Sequence, residues 1–548
     1  MDTLLTRFAS KVNSVLTGFD RIVFKGSIRP IVYAAGMESF LIARNILNRD
    51  FKPYAIAQSQ AIVASAERIS NDQCGSGITY IRSVNTRKEA LAHEQQKKNG
   101  ITQGLIGIWS CVESCNTFRS TYDPTRTYPA LRAERSKCKH LYFYFADPVY
   151  GFMSIRLQTW APYEIQIALN GREWLGQSLT KAGCGYSVSG NKFLHIDDYD
   201  LAQEFLNEQT KVDFEAVLRG FLPSVFPCMQ EILGPGLSYY WILWQSEIAK
   251  DYIFKSGDDL RPLMEDLQLH ALVTGKGERI LKYFGSPVRA DGQPFKNTHP
   301  EIISRTNVWF DGLRVRHWDG TNSVKFYNEH NVLRFEMTMN DPTKFKIYRH
   351  TQNQPVSEPK RFLPMRKGIA DTAARTEVSK NILNRFTEHM SAVEEKTRLG
   401  ELLSAVTSPV IRQEKSARAL DVFGKDRELL CAISDPAFDV QAVTNKKLQG
   451  ILAGTAWAKG KSGRQLSARI SRQLCLRRKE LSGNNMCELA QNIPSNRAGY
   501  FQTDPKHGLI KKQPNQRKYT LTDKGRKITA ALEAATATSV NDLLKLAA

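Results

Sequence analysis

Residues 322–339 read NSVKFYNEHNVLRFEMTM. Two runs rich in apolar and aromatic side chains, Ser323–Tyr327 and Val332–Met339, flank the polar group Asn328-Glu329-His330-Asn331. Such runs around a group of turn composition predict a β-hairpin. Tyr327 and Glu336 would then lie on neighbouring strands. Val308–Arg316 and Lys344–Arg349 read as further strands on either side.

The same character recurs upstream. Arg21–Ile28, Leu105–Cys111, His140–Phe145, Met153–Thr159, Glu164–Leu169 and Phe193–Ile196 all read as strands. Asn170-Gly171 has turn composition. Helical spacing marks Glu38–Asn48, Lys88–Lys98 and Gln203–Leu222. Tyr239–Tyr252 (YYWILWQSEIAKDY) is expected as a buried helix, which places Glu247 and Asp251 on one face, four residues apart. Ile369–Leu403 is expected as one or two long helices. A sheet interrupted by blocks of helix is an α+β fold. The expected divisions are a strand-rich α/β domain at 1–200, a helical then hairpin-containing region at 201–350, a helical connector at 365–405 and a last module at 426–548.

With 548 residues and 42% hydrophobic side chains, the chain can bury several cores and is not a disordered polymer. Its formal charge is +21. Charge of that size implies a polyanionic partner. Between Val440 and Ala530 stand 19 Lys and Arg against four Asp and Glu, a surplus of 15. A surface kept soluble by charge alone usually mixes both signs. No stretch has the ~18 apolar residues a membrane span needs, and the start lacks a basic region followed by an apolar run. Nine cysteines, an odd and sparse set, suit reduced thiols and a cytoplasmic setting.

The basic region reads helix, helix, helix, strand pair, helix. Arg427–Ile433, Asn445–Leu452 and Ser467–Leu481 are the helices. Ile470, Leu474, Leu476 and Leu481 would face inward, with Arg469, Arg472, Arg477, Arg478 and Lys479 outside. Gly508–Lys512 and Arg517–Thr522 form the strand pair, and a final helix follows from Asp523. An arginine-bearing helix fits the ~12 Å major groove of DNA, and a basic hairpin beside it grips phosphates. The candidate nucleic-acid contacts are Lys446, Lys447, Arg469, Arg472, Arg477, Arg478, Lys511, Lys512, Arg517 and Lys518. GLIKK-x-P-x-x-RKYTLTDKGRKI resembles the wing and following helix of bacterial winged-helix regulators of the MarR-like type. It departs from them at Ser482–His507, an insertion where these regulators have a few residues.

The hairpin carries a second resemblance. Lys325-Phe326-Tyr327 with Leu333-Arg334-Phe335-Glu336 is similar to a signature of rolling-circle replication initiators and relaxases. The resemblance implies Tyr327 as a nucleophile on a DNA phosphate and Glu336 as a ligand of a divalent metal, Mg²⁺ or Mn²⁺. Asn328 and Glu329 depart from that pattern, and the family's histidine metal motif is missing. Glu247 and Asp251 are further candidate metal ligands, and Asp20, Glu113, Asp147, Asp197 and Asp198 stand at expected strand ends or turns. Cys111, Cys115, Cys138 and His140 are conceivable zinc ligands, though buried thiols are the plainer reading. Gly275-Lys276-Gly277 lacks the frame of a phosphate loop. Tyr142, Tyr144, Trp160, Tyr163 and Trp174, interleaved with Arg156 and Arg172, read as core first and as a base-stacking face second. From GFDRIVFKGSIRP through LPMRKGIAD to the C-terminus, the chain resembles bacterial mobile-element-type proteins. Three functions remain in play: a DNA-binding protein, a metal-dependent nicking or strand-transfer enzyme, and a non-catalytic RNA-binding protein. Convergence of Glu336 with two other carboxylates would favour the enzyme.

Overall fold

The structure, a computed structural model, describes residues 3–286, 301–309, 312–351, 361–391, 399–412, 415–435, 438, 442–477, 507–513 and 518–539. Two compact units emerge: Met1–Leu272 with Ile303–Glu388, and Val273–Ile302 with His389–Ala548.

The first unit is built on one sheet. Its strands are β1 (Val12–Ser27), β2 (Thr79–Ile81), β3 (Gly104–Thr121), β4 (Ala130–Asp147), β5 (Gly151–Gln158) and β6 (Ile165–Asn170). After a separate small hairpin, β7 (Tyr186–Ser189) with β8 (Lys192–Ile196), come β9 (Tyr240–Phe254), β10 (Ile302–Trp309), β11 (Gly312–Asp319), β12 (Asn322–Glu329) and β13 (Val332–Met339). The eleven strands lie in the order β10-β11-β12-β13-β9-β1-β6-β5-β4-β3-β2. β2 runs parallel to β3, so the sheet is mixed. With helices gathered in blocks around it, the fold is α+β, as the sequence predicts.

The expected hairpin is present, with Tyr327 opposite Arg334 and Lys325 opposite Glu336. Tyr239–Tyr252, expected as a helix, is instead mostly β9. This strand is hydrogen-bonded on both edges, to β1 and β13, and is buried at every position from Ile248 to Phe254. A strand covered on both faces shows no polar alternation, so its apolar run matches a buried helix as well. Its many aromatic and β-branched residues are the strand signal that decides. Glu247 and Asp251 share a face even so, because an even separation does that in a strand.

The sheet also runs across the expected division at residue 200, since β1 pairs with β9 along most of its length. Asn170-Gly171 is a helix start rather than a turn between strands. The Asn170 side chain accepts from the amides of Arg172 and Glu173, capping α1 (Gly171–Lys181). A Cβ at Gly171 would stand 2.4 Å from the Phe19 carbonyl oxygen, so only glycine lets this helix begin against β1.

The expected connector at 365–405 is in part a wall of the sheet unit. From α2 (Thr372–Met390), Arg375 donates to Ser246 Oγ at 2.9 Å and to the Leu243 carbonyl at 2.6 Å. Phe386 lies edge-on to Phe335, with ring centres 5.4 Å apart.

The second unit contains α3 (Arg427–Ile433), α4 (Asn445–Leu452), α5 (Gly463–Arg477), the strands Ile510–Lys512 and Tyr519–Leu521, and α6 (Asp523–Ala537). Leu430, Ile433, Leu448, Leu452, Ile470, Leu474 and Ile528 belong to its core. Val443, just before α4, exchanges backbone hydrogen bonds with Tyr519, which adds a third strand contact to the hairpin. Thr522 caps α6 at Gly525, where a Cβ would meet the Leu509 carbonyl at 2.1 Å. That close approach explains the glycine in TLTDKGRK. No helix among the described residues is long and apolar enough to cross a membrane.

Candidate metal centre and basic module

Strand alternation builds the first site. Arg334, Glu336 and Thr338 project to one face of β13. Their partners on β9 are Asp251, Ala249 and Glu247 in turn. Lys325 and Tyr327 extend the same face onto β12. From the other side comes Asp20, which sits in β1 where the register with β9 slips between Phe19 and Ile22. A bulge of this kind re-aims a side chain, and bulges gather next to functional sites.

Asp20, Glu247 and Glu336 each place a carboxylate oxygen within 4.8 Å of the others. Glu336 and Glu247, both candidate ligands from the sequence, come together here. Asp20, one acid among many in the sequence, completes the set. Its signal is the GFD triplet, whose aspartate is the one acid in the strand Val12–Ser27.

Each member is held. Asp20 accepts from Asn191 Nδ2 at 2.5 Å and from Arg334 at 3.1 Å. Glu247 accepts from Gln245 Nε2 at 2.6 Å. Lys325 Nζ stands 2.7 Å from Glu336 Oε1 as an ion pair, but not in hydrogen-bond alignment, so that buried oxygen accepts no hydrogen bond. Burial, followed by the neighbouring Glu336 and Asp20 carboxylates, pushes the Glu247 carboxyl up to about 7, against the pull of Lys325 and Arg21.

Asp251, the remaining candidate ligand, is not part of this cluster. Its two oxygens take a fork from Arg334 at 2.6 and 2.8 Å. Arg172 adds a contact at 3.0 Å. Although burial works to raise the Asp251 carboxyl, Arg334 and Arg172 hold it below its ordinary range. Asp251 is therefore a structural anchor for the two arginines.

Nor is Tyr327 presented as a nucleophile. It is 6% exposed. Burial, reinforced by Glu336, Asp20 and Asp251, drives its phenol far above the ordinary range despite Arg334. A nucleophile needs the phenolate, and this pocket favours the neutral form. Supercoiled plasmid incubated with the protein and Mn²⁺ is expected to carry no covalently attached protein. An adduct that disappears in Tyr327→Phe would restore the tyrosine mechanism.

The other acids have ordinary work. Asp147 accepts from the amides of Val149 and Tyr150, and Asp198 caps the helix at Leu201. Asp197 binds His195 and the Gly185 amide. Glu113 accepts from Tyr142 and Arg156 and pairs with Lys88. Cys138 lies 3.9 Å from His140 Nδ1, but among the described residues only the acidic triad brings three or more such ligand atoms within 4.8 Å of one another. Tyr144 and Tyr163 are buried, as the core reading expects.

The second site is the C-terminal module. Lys446, Arg472, Lys511, Lys512 and Lys518 are exposed. Lys447 is partly covered, and burial and the nearby Lys518 lower its ammonium pKa. Arg469 is committed within the module: its guanidinium lies 3.9 Å from the centre of the Trp457 ring and donates to the Trp457 carbonyl at 2.7 Å. Arg477 ends α5. Arg478, Arg517 and most of Ser482–His507 lie outside the described residues.

No family model, curated protein or solved structure matches the chain.

Proposed function

We propose that the chain is a nucleic-acid-binding protein that grips duplex DNA through its basic C-terminal module. The observation that supports this reading is the order of that module. Among the described residues, a helix is followed by the Val443 strand contact, two helices, two antiparallel strands and a last helix. That order fits a winged helix in which α5 would be the recognition helix and Lys511, Lys512 and Lys518 would stand on the wing strands. Phosphate contacts by lysines supply affinity and position, and an arginine on α5 reads base edges.

Anisotropy titrations of labelled duplex DNA test the proposal. Affinity should fall steeply with salt. Lys511→Ala with Lys512→Ala should flatten the slope of log affinity against log salt by roughly 2, about one per lost phosphate contact, for every sequence alike. Arg472→Ala should weaken a preferred sequence by about 1–3 kcal/mol and a random one less. Binding that ignores both sets of substitutions would remove the module from nucleic-acid recognition.

A second reading, binding of unpaired bases, is favoured by one feature of the sheet unit. Trp244 is 41% exposed on β9, with Lys25 Nζ 4.8 Å and Lys367 Nζ 5.2 Å from its ring centre. Arg29 lies over Tyr240, four residues away on the same strand. Exposed rings ringed by cations can stack on bases while the cations meet phosphates. Trp244→Ala should then cost about 1–3 kcal/mol with single-stranded DNA and nothing with duplex.

A further inference from the structure

We infer that Asp20, Glu247 and Glu336 form a binding site for one divalent cation of the Mg²⁺ or Mn²⁺ class, with positions left open for water or for a phosphate oxygen. Three carboxylates within 4.8 Å of one another offer the hard oxygen ligands such ions take. The acids alone do not make the case. Thr338 supplies the independent observation. It is 2% exposed, and its hydroxyl has no hydrogen-bond partner. Alternation along β13 puts it on the face of Glu336, and register puts it directly opposite Glu247. A buried hydroxyl left unpaired costs roughly 1–3 kcal/mol. Placed opposite Glu247 and on the face of Glu336, it is positioned to bond a water of the cation's shell.

Charge balance points the same way. The triad offers three carboxyl groups; Lys325 pairs with Glu336 and a single nitrogen of Arg334 with Asp20, the rest of that guanidinium being engaged by Asp251 and the Asn191 carbonyl, while Arg316 and Arg21 add electrostatic attraction. Each carboxylate oxygen has two lone pairs, so oxygens that already accept one hydrogen bond can still bind metal. Access comes through Glu247, which is only partly buried, whereas Asp20 and Glu336 lie beneath the surface. The scaffold is rigid, because all three acids stand on central, doubly paired strands. An ion here would be an electrophile beside Lys325 and Arg316, a setting suited to a bound phosphodiester. That last clause rests on the nucleic-acid reading; the cation site does not.

The experiment is a titration of the full chain, without nucleic acid, by Mn²⁺ followed by electron paramagnetic resonance. One bound ion is expected, displaced by excess Mg²⁺. Glu247→Gln should weaken binding at least ten-fold, and Thr338→Val several-fold. Glu215→Gln, an exposed acid paired with Arg219 elsewhere, should bind as the parent does. Thermal melts of each variant in chelator establish that it is folded. No stoichiometric Mn²⁺ at millimolar concentration, or equal affinity in Glu247→Gln and the parent, overturns the site. Because DNA is absent, a protein that binds Mn²⁺ and no DNA would keep this inference and lose the proposed function. The reverse result would do the opposite.

Discussion

Arg334→Ala is expected to destabilise the sheet unit by about 3–5 kcal/mol, the usual cost of leaving a buried charge without its partner. Arg334 is wholly buried and bonds four groups: both oxygens of Asp251, one of Asp20 and the Asn191 carbonyl. Truncation takes two bonds from Asp251 and one from Asp20 where water does not reach them, leaving Asp251 to Arg172 and Asp20 to Asn191. Seven of the eight tryptophans fall in the residue ranges of the sheet unit, so urea titration followed by tryptophan fluorescence reads this unit almost alone. The midpoint should drop sharply in Arg334→Ala. It should drop less in Arg334→Lys, which keeps the charge but loses the fork. The pH dependence has a definite sign. The folded pKa of Asp251 lies below its ordinary value, so its stabilisation is present above the unfolded pKa, ~3.9, and is lost as pH falls through the folded one. Arg334→Ala removes most of that loss. A variant as stable as the parent would mean that the ion network is not what ties β1, β9 and β13 together.

Local pattern served the sequence reading where a turn or one wet face marks an element. The hairpin Asn322–Met339 is marked by the polar group between its two runs, although β13 is buried at every position, and its register follows from the turn. The helices of the C-terminal module show their apolar stripe, and Arg427–Ile433 and Asn445–Leu452 begin and end where the sequence places them. β9 was hidden because both its faces are covered, which erases the alternation that distinguishes a strand from a helix. The site was half legible for a related reason. Glu336 and Glu247 are conspicuous acids in apolar stretches. Which acid joins them depends on sheet order, since β1 must lie beside β9 and slip its register at Asp20. Neither fact is local. Asp251 misled because it is an equally conspicuous acid whose partner, Arg334, lies 83 positions away in the chain. Trp244 stands in a run whose composition predicts burial, yet its ring is partly exposed on β9.

Glu247→Gln is expected to act in the other direction, raising the stability of the metal-free protein. In the folded chain burial, Glu336 and Asp20 lift this carboxyl from 4.5 to about 7, while Lys325 and Arg21 oppose them. A folded pKa above the unfolded one means that the folded state binds more protons between those values, so stability falls as pH rises through that window. At about 1.4 kcal/mol per unit, the ionised carboxylate costs roughly 2–3 kcal/mol by pH 8, screened somewhat because the group is partly exposed. Glutamine keeps the shape and the acceptor for Gln245 and removes the charge. In chelator, the two proteins should melt alike at pH 4, and the variant should melt higher at pH 8. Saturating Mn²⁺ should narrow or close that gap. A cation that binds only the folded chain stabilises it by mass action, about 2.7 kcal/mol at one hundred times its dissociation constant, and a variant that binds about ten-fold more weakly forgoes about half of that gain. A variant that melts lower than the parent in chelator at pH 8 would show that the three acids do not repel one another. A variant that gains as much from Mn²⁺ as the parent would show that Glu247 is not a ligand. A gap that opens at pH 8 in chelator and narrows with metal is a result that neither a simple packing defect nor a simple surface effect produces. It follows only where three acids are held closer together than their charges favour, which is the condition of a cation site built before its ion arrives.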